Sequence, residues 1–124
     1  MRILVVDDEK DIQRLFQQRF RKEIKKNTID FVFAFSGEEA LKILDELDHK
    51  AVLILSDINM PGMSGLELLE KIKETYLNPT PTVMMITAYG DEHNRMTSKT
   101  LGADDFLAKP IDFKILKDKL KDLE

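Results

Sequence analysis

The chain has 124 residues, a formal net charge of −4, 43% hydrophobic and 34% charged residues, and no cysteine. That size and balance fit one soluble globular domain able to bury most of its apolar surface without staples, and the missing thiols exclude disulfides, thiolate nucleophiles and cysteine-ligated metals. The negative balance argues against direct nucleic-acid binding through phosphates, and the four-residue apolar run near the start is too short for a signal-peptide core or a membrane span, so a cytoplasmic location is the default.

In chain order, the first apolar run, Ile3 to Val6, has no alternation, as expected of a strand covered on both faces. The helical pattern that follows places Ile12, Leu15, Phe16, Phe20 and Ile24 on one stripe. Near its end lie Arg19, Arg21, Lys22, Lys25 and Lys26, read as cations complementing the helix dipole, with a partner-docking patch as the alternative. Ile29 to Phe35 alternates and suits an edge strand. Ser36-Gly37-Glu38-Glu39 then has the S-x-x-E form that opens a helix. Val52 to Ser56 is a third, unbroken apolar strand, and Ser64-Gly65-Leu66-Glu67 opens a third helix with Leu66, Leu69, Ile72 and Tyr76 along its stripe. Val83 to Ile86 reads as a central strand. The fourth helix, within Asp91 to Leu101, has little more than Met96, Leu101 and threonines to bury, and is expected to be loosely held. Phe106 to Ala108 is a second edge strand, and the last helix, capped by Asp112, buries Phe113, Leu116, Leu120 and Leu123.

Five strands alternating with five helices predict a single α/β domain over residues 1–124, with a doubly wound parallel sheet. Strands one, three and four inside, two and five outside, give the order 2-1-3-4-5 of the flavodoxin-like (βα)5 fold. In such sheets, side chains beyond the carboxyl ends of the strands share one crevice where the strand order reverses. Asp7 and Asp8 end the first strand, Asp57 the third, Thr87 the fourth and Lys109 the fifth. Singly, each has a structural reading: Asp8 as a helix cap, Asp57 as a turn opener before Pro61-Gly62, Thr87 as a β-former, Lys109 as a surface lysine. Together they lie at one edge.

Two carboxylates about 5 Å apart repel by roughly 3 kcal/mol at an effective dielectric of about 20, and three acids make three such pairs. Protons must be shared, or a cation must sit among them. Lys109 offsets one charge, and hard oxygen donors suit Mg²⁺, with Mn²⁺ as a substitute. With the ion and the lysine beside it, a carboxylate is competent to attack phosphorus, and Asp57 is the best candidate because Asp7 and Asp8 are needed as metal ligands.

These residues stand in segments that resemble the receiver domain of two-component response regulators: "VVDDE", "LSDINMPGMSG", "MITA" and "GADDFLAKP", in that order along nearly the whole chain. The resemblance implies that Asp7, Asp8, Asp57 and the backbone carbonyl of Asn59 hold Mg²⁺. It also implies that Asp57 accepts a phosphoryl group from a phosphohistidine on a sensor kinase or a phosphotransfer protein. Thr87 and Phe106 would form the switch pair, Lys109 would pair with the phosphoryl group, and the Lys109-Pro110 peptide would be cis. Asn59 and Tyr89 stand at positions that influence phosphoryl lifetime. Phe106 takes a position where tyrosine is also common, so no ring hydroxyl takes part. The chain would act as a phosphoacceptor, not a turnover enzyme, with output through the fourth helix, fifth strand and fifth helix to a downstream protein or effector domain, or through a phosphorylation-dependent homodimer.

Three competing readings remain open at this stage. A haloacid-dehalogenase-type phosphatase also uses an aspartyl phosphate, but expects an acid where Asn59 stands. A flavodoxin-like FMN binder needs a first loop that welcomes phosphate, which Asp7, Asp8 and Glu9 would repel. An unphosphorylated receiver-like binding module is the third. His49 and His93 lie outside the strand-end set and are read as exposed helix residues. The chain ends where the fifth helix should end and contains no effector domain, so it is expected to be either a stand-alone receiver or the front end of a longer regulator.

Overall fold

The computed structural model describes residues 1–47, 53–77, 79–88 and 90–123. The strands are β1 (Arg2–Val6), β2 (Asp30–Ala34), β3 (Leu53–Asp57), β4 (Thr82–Ala88) and β5 (Asp105–Lys109). They form one parallel sheet in the order β2-β1-β3-β4-β5, as the apolar patterning predicts. Val52, placed at the start of the third strand by sequence, lies outside the described residues, as do His49 and Tyr89.

The helices are α1 (Asp11–Arg19), α2 (Arg21–Lys25), α3 (Gly37–Glu46), α4 (Gly65–Thr75), α5 (Glu92–Thr100) and α6 (Phe113–Asp122). Alternate β1 side chains feed two cores: Leu4 and Val6 pack with residues of α3 and α4, whereas Ile3 and Val5 pack with Phe16, Phe20, Leu116 and Leu120. Period-2 exposure of a strand to two helical layers requires this division. Ile3, Leu4, Val5 and Val6 are all fully buried, which explains the absence of polar residues from that run.

The expected first helix is divided in two. Phe20 leaves helical geometry (φ −107°, ψ 21°) between α1 and α2, yet its amide still donates to the Phe16 carbonyl and its own carbonyl accepts from Ile24. The predicted stripe survives the break because Phe20 is fixed by an aromatic cluster. It stacks on Phe16 at 6.0 Å and meets Phe31 and Phe113 edge-on at 5.0 and 6.0 Å. Such pairs add about 0.5–1.5 kcal/mol each beyond burial.

The predicted caps form. Ser36 accepts from the Glu39 amide, Ser64 from the Glu67 amide, and Asp112 from the Lys114 and Ile115 amides. Two expected core residues are not core: Leu123 lies beyond the last turn of α6 and is 41% exposed, and Met96 on α5 is 55% exposed. On α6 the buried stripe is carried by Leu116 and Leu120, whereas on α5 the buried residue is Ser98, so α5 presents almost no apolar stripe. His93 is exposed on α5, as expected.

Candidate functional site

Strand direction delivers the site. β1, β3, β4 and β5 are parallel neighbours, so the residues at their carboxyl ends share one edge of the sheet. Carboxylate oxygens of Asp7, Asp8 and Asp57 all lie within 4.8 Å of one another there. Asp7 and Asp57 are buried, whereas Asp8 is exposed. Asp8 does not cap α1: the N-cap position is Lys10, which makes no side-chain cap bond. The structural reading of the acid pair therefore fails for Asp8.

Lys109 reaches the cluster from β5. Its Nζ donates to Asp57 Oδ2 at 2.7 Å and stands 3.5 Å from Asp7 Oδ2. Burial alone would lower the Lys109 pKa, but the hydrogen bond to Asp57 and the charges of Asp57, Asp7 and Glu9 outweigh it and hold the ammonium above its usual range. The Lys109–Pro110 peptide is cis, as the resemblance implies.

Asp7 carries the strain of the arrangement. Its Oδ1 accepts from the Glu9 amide at 2.9 Å, whereas the buried Oδ2 has no hydrogen-bond donor; Lys109 lies at ion-pair distance only. Burial pushes the Asp7 pKa up, and the neighbouring Asp57 and Glu9 charges add to it against the Glu9 amide and Lys109. A buried, underbonded carboxylate oxygen among all-oxygen donors fits a hard divalent cation.

Thr87 is buried on β4, where its hydroxyl donates to the Leu107 carbonyl at 3.5 Å. Phe106 stands opposite Met85 in the β4–β5 register, two residues short of the pair formed by Thr87 and Ala108. By strand alternation Thr87 and Phe106 thus lie on the same face, toward α5. Asn59 is exposed in the loop after β3. The sheet brings Asp7, Asp8 and Asp57 within 4.8 Å of one another, with Lys109 on Asp57 and Asp7, and places Thr87 at the end of the neighbouring β4.

One constraint escapes the sequence reading. The Gly65 amide donates to the Ile58 carbonyl at 2.7 Å, and a Cβ on Gly65 would overlap the Asp57 carbonyl oxygen and stand 2.7 Å from Ile58 Cα. Glycine is a poor helix former, and its presence in the first turn of α4 is the signal that could have revealed this close approach. The basic run follows its first reading in part: Arg19 sits in the last turn of α1, and Lys22 and Lys25 in that of α2, but Arg21 opens α2, where a cation does not complement the dipole.

Among the described residues no helix is long and apolar enough to cross a membrane. A family model for the response regulator receiver domain matches residues 3–121. The transcriptional regulatory protein CpxR of Escherichia coli (strain K12) is 35% identical over 109 residues, covering 88% of this chain and 43% of CpxR. ResD of Bacillus subtilis (strain 168), also a transcriptional regulatory protein, is 39% identical over 109 residues, covering 88% and 42%. A cyclic di-GMP phosphodiesterase of Thermotoga maritima is 35% identical over 120 residues, covering 97% and 30%. The chain spans less than half the length of these relatives. Among solved structures, a receiver domain protein from Clostridium thermocellum superposes with a TM-score of 0.83 at 27% identity, covering 98% of this chain and 92% of its own. The receiver domain of Francisella response regulator 1452 gives 0.81 at 29%, covering 98% and 94%. With its three acids, lysine and parallel sheet in this arrangement, the chain belongs to the response regulator receiver domains, the phosphorylation-dependent signalling switches of two-component systems.

Proposed function

We propose that Asp57 is the phosphoacceptor of this switch and that the donor is a phosphohistidine on a sensor kinase or a phosphotransfer protein, which implies a cytoplasmic working place. The observation that carries the reading is the single ammonium of Lys109, 2.7 Å from Asp57 Oδ2 and 3.5 Å from Asp7 Oδ2. It donates directly to an Asp57 oxygen and lies where phosphoryl charge would arrive. An Asp57 oxygen attacks phosphorus; the O–P bond forms as the P–N bond breaks, and the imidazole nitrogen leaves with the electron pair. Lys109 then turns from the carboxylate to a phosphoryl oxygen. Asp7, Asp8, Asp57 and the Asn59 carbonyl would hold Mg²⁺ or Mn²⁺, which when bound neutralises charge on the phosphoryl oxygens.

Phosphorylation exchanges one carboxylate charge for about −1.5 to −2 and three strong acceptor oxygens. The Thr87 hydroxyl exchanges its long bond to the Leu107 carbonyl for one to the phosphoryl group, and Phe106 turns into the space vacated. A shift from 1:99 to 99:1 takes about 5.5 kcal/mol, within reach of a few charge-assisted bonds. The surface of α5, β5 and α6 would carry the change to a downstream protein, an effector domain or a second copy. The chain is a stoichiometric acceptor in this scheme and turns over no substrate pool.

Incubation with acetyl phosphate or phosphoramidate and Mg²⁺ is expected to add one phosphoryl mass to the native protein and none to Asp57→Asn. A native protein that stays unmodified would favour the binding-module reading, and a modified Asp57→Asn would move the acceptor elsewhere.

A further inference from the structure

The groove between α5 and the β4–β5 strands encloses about 370 Å³, with Thr87, Ala88, Phe106 and Ala108 on the sheet side. Two cations also line it, Lys119 from α6 and Arg95 from α5. Lys119 is fully engaged, donating to both carboxylate oxygens of Asp105 at 3.0 and 2.9 Å. Arg95 is not. Its nearest acid is Glu92 at 3.6 Å, one turn back on the same helix and mostly exposed. Its guanidinium instead lies over the Phe106 ring, 5.1 Å from the centroid, inside the range where the ring quadrupole attracts a cation.

Among the described residues, the helix bearing Arg95 packs on β4 and α4 with few buried side chains of its own. Ser98 is the buried residue of α5, and the hydroxyls of Thr97, Ser98 and Thr100 bond back to carbonyls of α5 itself. The guanidinium–ring contact is one of the described contacts that join α5 to β5, and it exists only while the ring stays where it is.

We propose that Arg95 is the resting-state latch of the switch: its guanidinium over Phe106 holds the ring at the groove, and the turn of the ring toward Thr87 releases Arg95 to the surface of α5. This rests on the assignment of Thr87 and Phe106 as the switch pair. A contact present in one of two states biases the equilibrium by its own free energy and by no more. For a half-exposed cation–ring pair that bias is about two- to fivefold. Removing it raises the active fraction before phosphorylation and, by linkage, tightens any ligand that selects the active state by the same factor. Arg95 is a positioning residue here; it touches no reacting atom.

The test compares native protein, Arg95→Gln and Arg95→Lys by NMR of the Phe106 ring and the α5 amides, free and with beryllofluoride plus Mg²⁺. Without ligand, Arg95→Gln is expected to lie displaced from native along the line joining the free and beryllofluoride-bound native positions, with about two- to fivefold tighter apparent beryllofluoride affinity. Arg95→Lys, which keeps the charge but stacks less well, should fall between the two. Arg95→Gln at the native free position, displacement off that line, or Arg95→Lys as far displaced as Arg95→Gln would each overturn the latch while a native response to beryllofluoride leaves the switch intact. A native protein whose Phe106 and α5 signals ignore beryllofluoride would overturn the switch assignment and the latch with it.

Discussion

Gly65 is held by the backbone at the end of β3. The first residue of α4 donates to Ile58 and leaves no room for a methyl group against the Asp57 carbonyl. In Gly65→Ala either α4 or the end of β3 must move, because both atoms in the way are backbone. Overpacking of this kind typically costs about 1–3 kcal/mol and occasionally more. We expect Gly65→Ala to lower Tm by roughly 5–10 °C and to slow acetyl phosphate labelling of Asp57 at least about tenfold, since small misplacements of a reacting group are that damaging. Normal labelling at a normal melting temperature would mean that the loop absorbs the methyl group. The residue scale also marks the limit of sequence reading. Asp7, Asp8, Asp57 and Lys109 were legible because each ends a recognisable strand, and strand order then fixes their meeting place. Gly65 and Arg95 were not, because one depends on a through-space backbone approach and the other on how a helix lies over a ring.

Elements were legible in proportion to how strongly burial shapes them. β1 and β3 are fully covered from Ile3 to Val6 and from Leu53 to Asp57, and such strands read as unbroken apolar runs. The break at Phe20 was hidden because the apolar stripe runs through it without a change of period. α5 was recognised as weakly anchored, and it is weaker than its sequence suggests: Met96, counted among its apolar residues, faces solvent. α4, by contrast, buries Leu68, Leu69 and Ile72 and places Tyr76 at its end, where the phenol donates to Asp45 at 2.6 Å and burial with that bond pushes its pKa up to about 12. Local opening free energy follows this difference in buried area. Native-state hydrogen exchange should therefore find α5 amides opening at least about 2 kcal/mol more easily than those of the middle of α4, a gap worth roughly thirtyfold in protection. Equal protection in the two helices would contradict the loose docking on which the proposed movement of the α5 surface depends.

At the scale of the whole molecule, two apolar cores clamp a sheet whose carboxyl edge gathers more negative charge than Lys109 can offset. The direction of the Asp7 shift gives the consequence for stability. Its pKa is raised in the folded state, so ionisation is harder there than in the unfolded chain, and the Asp7 contribution to stability falls as pH rises from the unfolded value near 3.8 through the folded one. The metal-free protein consequently carries a penalty at neutral pH that a bound divalent cation would remove. Free Mg²⁺ at about one hundred times its Kd should add roughly 2.7 kcal/mol, or about 10 °C in Tm for a chain of this size. That gain should shrink as pH falls through the raised Asp7 pKa, because protons then compete for the same oxygens. Asp7→Asn keeps an acceptor for the Glu9 amide and removes the buried charge. It is expected to raise the metal-free Tm at neutral pH by about 2–5 °C while abolishing most of the Mg²⁺ increment. Thermal melts of both proteins with and without Mg²⁺ across pH 4 to 8 separate the two effects. A metal-free Asp7→Asn protein that melts lower than native, or one that keeps the full Mg²⁺ increment, would show that the charge at this edge is balanced by something other than a cation among the acids.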